Sequence, residues 1–300
     1  SIKGAGTTTT ALAFGGNPVT GATEEWNANF AYGVWATGGS LNTATAYLAG
    51  CGTQNAALKF GGAVPPGAAT TAKTESYNGS AWAELNDMNT GRIRLAGAGA
   101  NNTAALAFGG EPSVPGEAAN TETWNGTAWT EVNDLNTARS MLAGSGTNTA
   151  ALAFGGDDGN PTRQAITESW NGSSWTEVAD LNTARRQLAG AGTSTSSLAF
   201  GGESAPTAQL SITESWNGSA WTEVADLNTA RQNLAGAGAD NTSSLAFGGF
   251  APPNTAATES WNGTSWTNEN SMSTSRDDLA GAGTQTSGLA IGGKQGGTEL

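Results

Sequence analysis

The sequence predicts an all-β fold made of repeated four-stranded antiparallel blades. Three observations carry this. A repeat of about 46 residues runs through nearly the whole chain. Each repeat holds four short extended segments separated by turn residues. No stretch keeps the i, i+3, i+4 apolar spacing of a helix over a useful length. Seven segments end in an apolar residue followed by Gly-Gly, at Phe14, Phe60, Phe108, Phe154, Phe200, Phe247 and Ile291, with spacings of 46, 48, 46, 46, 47 and 44. Four antiparallel strands at that period match one blade of a β-propeller in size and strand number.

The elements follow one another in a fixed order. The first strand is the Leu-Ala-Gly-Ala-Gly run, as at Leu188 to Gly192. A Thr/Ser turn leads to the second strand, Ser197 to Phe200, closed by Gly201-Gly202. The third, Thr213 to Trp216, turns through Asn217-Gly218, the dipeptide favoured in type I′ hairpins because both central residues take positive φ. The fourth runs from Trp221 to Val224. The copy from Thr213 to Arg231 differs from that at Thr167 to Arg185 only in having Ala220 for Ser174.

These units resemble kelch repeats. The Gly-Gly after strand two, the Glu and aromatic of strand three, the Trp opening strand four and the Arg before strand one stand in kelch order. The Ala/Gly-rich first strand and the Asn after the aromatic depart from that pattern. The Trp-Asn-Gly-Ser-x-Trp segments look most like repeat proteins of environmental bacteria and their phages. The resemblance implies a single propeller domain over residues 1–300, with its first strands around the central axis. Gly and Ala would let those strands approach closely there. Repeat units lie at about 1–44, 45–91, 92–138, 139–184, 185–230, 231–275 and 276–300. The inner hairpin pattern occurs seven times and the outer one six. Seven blades are therefore expected, the last abbreviated and completed by Gly297 to Leu300. Six is the alternative.

Composition bounds the chemistry. Gly supplies 44 of 300 residues, charged residues only 12%, and the net charge is −13. Leu, Ile, Val and Phe together make up 40 residues, a share associated with disorder in a strongly charged chain. The 11 Trp residues argue the other way, each able to bury about 150–250 Å². Trp170, Trp175, Trp216 and Trp221 exemplify the core positions. His is absent, which removes the commonest general base, the Ser–His and Cys–His pairs and every imidazole metal site. Cys51 is the only cysteine, read as a small buried hydrophobe. A strongly acidic chain suits neither nucleic acid nor anionic lipid. No apolar run reaches the ~18 residues of a membrane span. No cofactor is expected.

Two sets of residues stand out. Strand three carries Glu25, Glu75, Glu122, Glu168, Glu214 and Glu259, and the approach to strand one carries Arg92, Arg139, Arg185, Arg231 and Arg276. Their regular placement predicts one structural job repeated around the ring, each Glu accepting from an Arg or from backbone N–H groups. Variation and all nine prolines fall instead in the loops between strands two and three. Those loops share a face with the links from strand four to the next strand one, the usual layout of a binding surface. Candidate contacts there are Glu111, Asp157, Asp158, Arg163, Glu203, Gln209 and Phe250; Phe30 and Tyr32 in the long turn of the first unit are candidates elsewhere. Asp157-Asp158-Gly159-Asn160 lacks the alternating spacing of a dedicated Ca²⁺ loop. The Asn-Gly-Ser/Thr triplets are formal glycosylation sequons explained by their place in turns.

The expected function is a non-catalytic binding or structural module on a virion or other extracellular surface, of fibre or adhesin type. It would meet a surface glycan or protein and could assemble with copies of itself or other virion proteins. The alternatives are a carbohydrate-active enzyme on a propeller scaffold and an intracellular protein-interaction platform. Galactose oxidase, which some kelch propellers resemble, needs copper-ligating His that this chain lacks.

Overall fold

The computed structural model describes residues 21–28, 33–65, 69–113, 116–159 and 163–295. Among these residues, six four-stranded antiparallel sheets form the blades. Blade one comprises Ala49–Thr53, Ala56–Phe60, Thr74–Tyr77 and Trp82–Glu84. Blades two to five repeat that order from Ala96–Asn101, Ala143–Thr147, Ala189–Gly192 and Ala235–Asp240. Blade six joins both ends of the chain. Ala280–Thr284 and Ser287–Ile291 pair with Thr23–Asn27 and Val34–Thr37, in the order that every other blade uses. The first strands of neighbouring blades contact one another in a closed cycle, so they surround the axis.

The expected seven blades are therefore corrected to six. The last inner hairpin needs no outer hairpin of its own, because the outer hairpin of the first unit supplies its partner: Thr23 lies opposite Ile291 and Glu25 opposite Leu289. The inner pattern ending at Phe14 and the tail Gly297 to Leu300 lie outside the described residues.

Aromatic side chains join blade to blade. Phe108 meets Trp175 of the next blade edge-on at a centroid distance of 4.9 Å, and Phe154 meets Trp221 at 5.0 Å. Each strand-four Trp also donates its indole N–H to a strand-three Thr of the preceding blade, as Trp175 does to Thr121 at 3.0 Å and Trp221 to Thr167 at 3.1 Å. Trp170 and Trp216 instead donate to carbonyls in the first turn of their own blades, those of Asn148 and Ser194. All four are buried, with their indole donors satisfied. Cys51 is buried in an inner strand, and burial pushes its thiol pKa up to about 12.

The buried charges tie each inter-blade link to the blade it enters. Glu168 accepts from Arg139 Nη2 at 2.8 Å and from the backbone N–H and side-chain amide of Asn136, both at 2.7 Å. Arg185 with Glu214 and Arg231 with Glu259 repeat the pair. Burial pulls the arginine pKa values below their ordinary level while the glutamates pull them back up. In blade six the partner of Arg276 is Glu24, at 3.2 Å, and not Glu25. Thr23-Glu24-Glu25-Trp26 aligns with Thr167-Glu168-Ser169-Trp170, so Glu25 occupies the serine position and accepts from Tyr77 Oη.

The Asn-Gly turns also differ from expectation. Trp170 lies opposite Trp175, leaving a four-residue connection in place of a two-residue type I′ turn. Only the Gly has positive φ, +95° at Gly172, while Asn171 Oδ1 accepts from the N–H groups of Ser173 and Ser174. The Gly-Gly pairs are required by backbone geometry. Gly155 and Gly156 have φ of +68° and +105°, and a Cβ on Gly155 would lie 2.7 Å from the carbonyl oxygen of Arg185.

Candidate functional site

One repeat position combines a special backbone with unlike side chains. The residue just before the first-strand Leu is Tyr47, Arg94, Met141, Gln187, Asn233 and Asp278 in successive blades. All six have φ between +51° and +57°. The left-handed region costs an ordinary L-residue roughly 1–2 kcal/mol. A ring of backbone hydrogen bonds offsets that cost. Arg94 N–H donates to the Tyr47 carbonyl at 2.9 Å, Met141 to Arg94 at 2.9 Å, Gln187 to Met141 at 2.8 Å, and Asn233 to Gln187 at 2.9 Å. Asp278 to Asn233 at 3.1 Å and Tyr47 to Asp278 at 3.0 Å complete the circle. Six different side chains are thus held around the mouth of the axial channel. The ring Leu48, Leu95, Leu142, Leu188, Leu234 and Leu279 lines the cavity with them. Deeper in, the channel is lined by Ala and Gly of the first strands.

A second circle surrounds the first. The residue after each Gly-Gly pairs with the residue two places before the Leu, as in the bridges Ser140↔Asp157, Arg186↔Glu203, Gln232↔Phe250 and Asp277↔Lys294. Glu111 pairs in the same way with Ile93. The loops between strands two and three and the inter-blade links are therefore physically joined on this face.

Within that circle the predicted contacts divide into two groups. On the side of blades two to four, charges satisfy one another. Glu111 accepts both Arg94 Nη1 contacts at 3.0 Å and the Ser140 hydroxyl at 3.0 Å. Arg186 lies 2.6 Å from Asp157 and 3.2 Å from Glu203, while Arg163 lies 2.5 Å from Glu203 and 3.5 Å from Asp157. Asp157 also accepts from Gly159 N–H. Asp157, Arg163 and Glu203 thus form one largely buried ionic network with Arg186. Asp158 is half-buried beside it, and Gln209 is half-buried opposite Glu203 in a short ribbon. Phe30 and Tyr32 lie outside the described residues.

On the other side lies a cavity of about 250 Å³. It is lined by Phe250, one of the predicted contacts, together with Tyr47, Arg94, Gln187, Gln232, Asn233, Asn254, Asp277, Asp278 and Lys294. Lys294 Nζ sits 2.7 Å from Asp278 Oδ2, 3.8 Å from Asp277 Oδ2 and 2.8 Å from Tyr47 Oη. Lys294 and Arg94 both stand over the Tyr47 ring, at 4.8 Å and 5.0 Å from its centroid. Burial, and then the neighbouring Asp277, push the Asp278 carboxyl up to about 7 against the pull of Lys294. Among the described residues, no three His, Cys, Asp or Glu side chains converge as metal ligands.

Sequence reasoning singled out the face and Phe250 but passed over Tyr47, Gln187, Asn233, Asp278 and Lys294. The available signal was the second x of Arg-x-x-Leu. It differs in every unit while the Leu-Ala-Gly beside it scarcely changes.

No family model and no curated protein matches this sequence. Among solved structures, YjhT is similar, with a TM-score of 0.70 over 84% of this chain and 91% of that one, at 13% identity. At that identity the likeness is one of fold.

Proposed function

We propose that this six-bladed ring is a non-catalytic recognition module of kelch type, built to hold part of a surface glycan or protein at its axial mouth. One observation carries the reading: six unlike side chains occupy a single repeat position, in a backbone conformation that L-residues disfavour, around the axial mouth. Strain retained around a pocket in an otherwise regular repeat is characteristic of functional sites. The 250 Å³ cavity lined by five of the six is smaller than the roughly 300–1,000 Å³ typical of drug-sized ligands, so it suits the end of a larger molecule. A surface of low charge, with Ser, Thr, Asn and Gly in abundance, supports a place on a virion or other extracellular surface, as in fibre and adhesion proteins. The loops between strands two and three then widen the contact around the mouth.

Asp277 and Asp278 support a second reading, a carbohydrate-active enzyme. Two adjacent buried carboxyls, one raised to about 7, meet the general need for an acid near working pH. A glycan-array screen followed by product analysis separates the two. The module should retain intact glycan, with retention falling about tenfold in Gln187→Ala and unchanged in Ser219→Ala at the outer turn. Turnover of the retained glycan would overturn the non-catalytic reading.

A further inference from the structure

Among the described residues, the buried side-chain oxygens that accept no hydrogen bond all belong to residues lining the axial cavity. The side-chain oxygens of Gln187, Gln232 and Asn254 are buried and accept no hydrogen bond from the described residues, and all three residues line this one cavity. The orientation of Asn254 is fixed by its neighbours. Its amide nitrogen donates to Asp277 Oδ1 at 2.7 Å and to the Lys294 carbonyl at 3.3 Å, so the oxygen is the free end. Asn254 is only 8% exposed. One donor is also unmet, Arg94 Nε, on a residue lining the same cavity. A buried polar atom without a partner forfeits the hydrogen bond it made to water in the unfolded chain. A ligand that satisfies several of them therefore gains from groups already in place.

We propose that the cavity takes a neutral polyhydroxylated ligand, the ring of an uncharged sugar, whose hydroxyls donate to Gln187, Gln232 and Asn254 and accept from Arg94. This rests on reading the axial mouth as the recognition site. A hydroxyl both donates and accepts, so neighbouring hydroxyls can meet the three oxygens and the one N–H together. A carboxylate would satisfy Arg94 Nε alone, leave three acceptors unmet and face Asp277 and Asp278. An ammonium ligand would leave Arg94 unmet and stand beside Arg94 and Lys294. Arg94 is already paired with Glu111, and Lys294 with Asp277 and Asp278, so each lining cation has an anionic partner before any ligand enters.

The test is calorimetric titration with three probes: methyl galactoside, methyl glucoside and methyl glucuronide. At least one neutral glycoside should bind, and the glucuronide should bind about tenfold more weakly. Asn254→Leu and Gln187→Leu should each weaken neutral binding about fivefold to tenfold, with near-ultraviolet circular dichroism unchanged. The Gln187 side chain, unlike that of Asn254, makes no hydrogen bond to Asp277 or Lys294 among the described residues, so it keeps the test valid should Asn254→Leu misfold. Glucuronide binding as tight as neutral binding would overturn the proposal, as would an unaffected Gln187→Leu. Binding by neither neutral probe would also overturn it. In that event, retention of intact glycan on the array, sensitive to Gln187→Ala, would leave the recognition reading standing, whereas a blank array would remove both.

Discussion

At the scale of single residues, blade one shows how the buried charges work, because it is the blade that departs from the rule. Thr45 stands where the other blades have Arg. Glu75 nevertheless accepts from the Asn42 and Thr43 N–H groups, so its carboxylate is held as in the other blades. A buried cation nearby is Lys59, whose backbone lies opposite that of Glu75 across strands two and three, where the other blades place Ala, and whose Nζ donates to the Lys73 carbonyl at 3.4 Å. Lys59 is fully buried. Burial pulls its pKa down and Glu75 pulls it up, leaving about 8 against an ordinary 10.5. Because the folded pKa is depressed, the unfolded chain holds this proton more firmly. Stability should therefore rise with pH between roughly 8 and 10.5. Lys59→Ala should cost about 1 kcal/mol by removing the nearby positive charge and packing that favour the buried Glu75. The double variant Thr45→Arg/Lys59→Ala restores the arrangement of the other blades, recovering most of that loss and abolishing the alkaline rise. Urea titrations at pH 7 and 10 measure both effects; a Lys59→Ala protein as stable as wild type would contradict this role for Lys59.

At the scale of elements, the blade is the unit of sequence and the inter-blade seam is the unit of packing. Strand number, strand order, the Gly-Gly closures and the burial of Trp were all legible, because each is written within one 46-residue repeat. Blade number was not, because closure pairs Thr23–Asn27 with Ser287–Ile291, more than 250 residues apart. Counting hairpins along the chain cannot reveal that the first outer hairpin serves the last inner one. The Asn-Gly dipeptide misled for a local reason: Asn capping of a four-residue turn and a type I′ turn share the same two letters. At the mouth, Glu111, Asp157, Arg163 and Glu203 stood out as charged loop residues, but sequence could not show that their partners Arg94 and Arg186 sit in the links. The closing seam makes a direct prediction. Glu24→Gln breaks the pair with Arg276 and should destabilise the ring by about 3 kcal/mol in chemical denaturation, as Glu168→Gln should in blade three. A negligible loss for Glu24→Gln beside a large one for Glu168→Gln would show that the last seam carries less than the others.

At the scale of the whole molecule, the described part of a near-symmetric ring varies most at the axial mouth. Small residues line the axis, Trp and Phe fill the seams, and Arg–Glu pairs repeat with little change. Around the axial mouth the same repeat position holds an aromatic, a cation, a thioether, two amides and a carboxylate. Half of that mouth is closed by ion pairs and half opens into a cavity whose amide oxygens lack donors. A regular scaffold with its variation gathered at the axial mouth fits stability assigned to the repeat and recognition to the mouth. The most direct measurement is a crystal structure of the protein bound to the glycan retained on the array. Density is expected for one sugar ring at the axial mouth, hydrogen-bonded to Gln187, Gln232 and Asn254. Density at the outer Asn-Gly turns, with the axial cavity holding only solvent, would contradict recognition at the mouth.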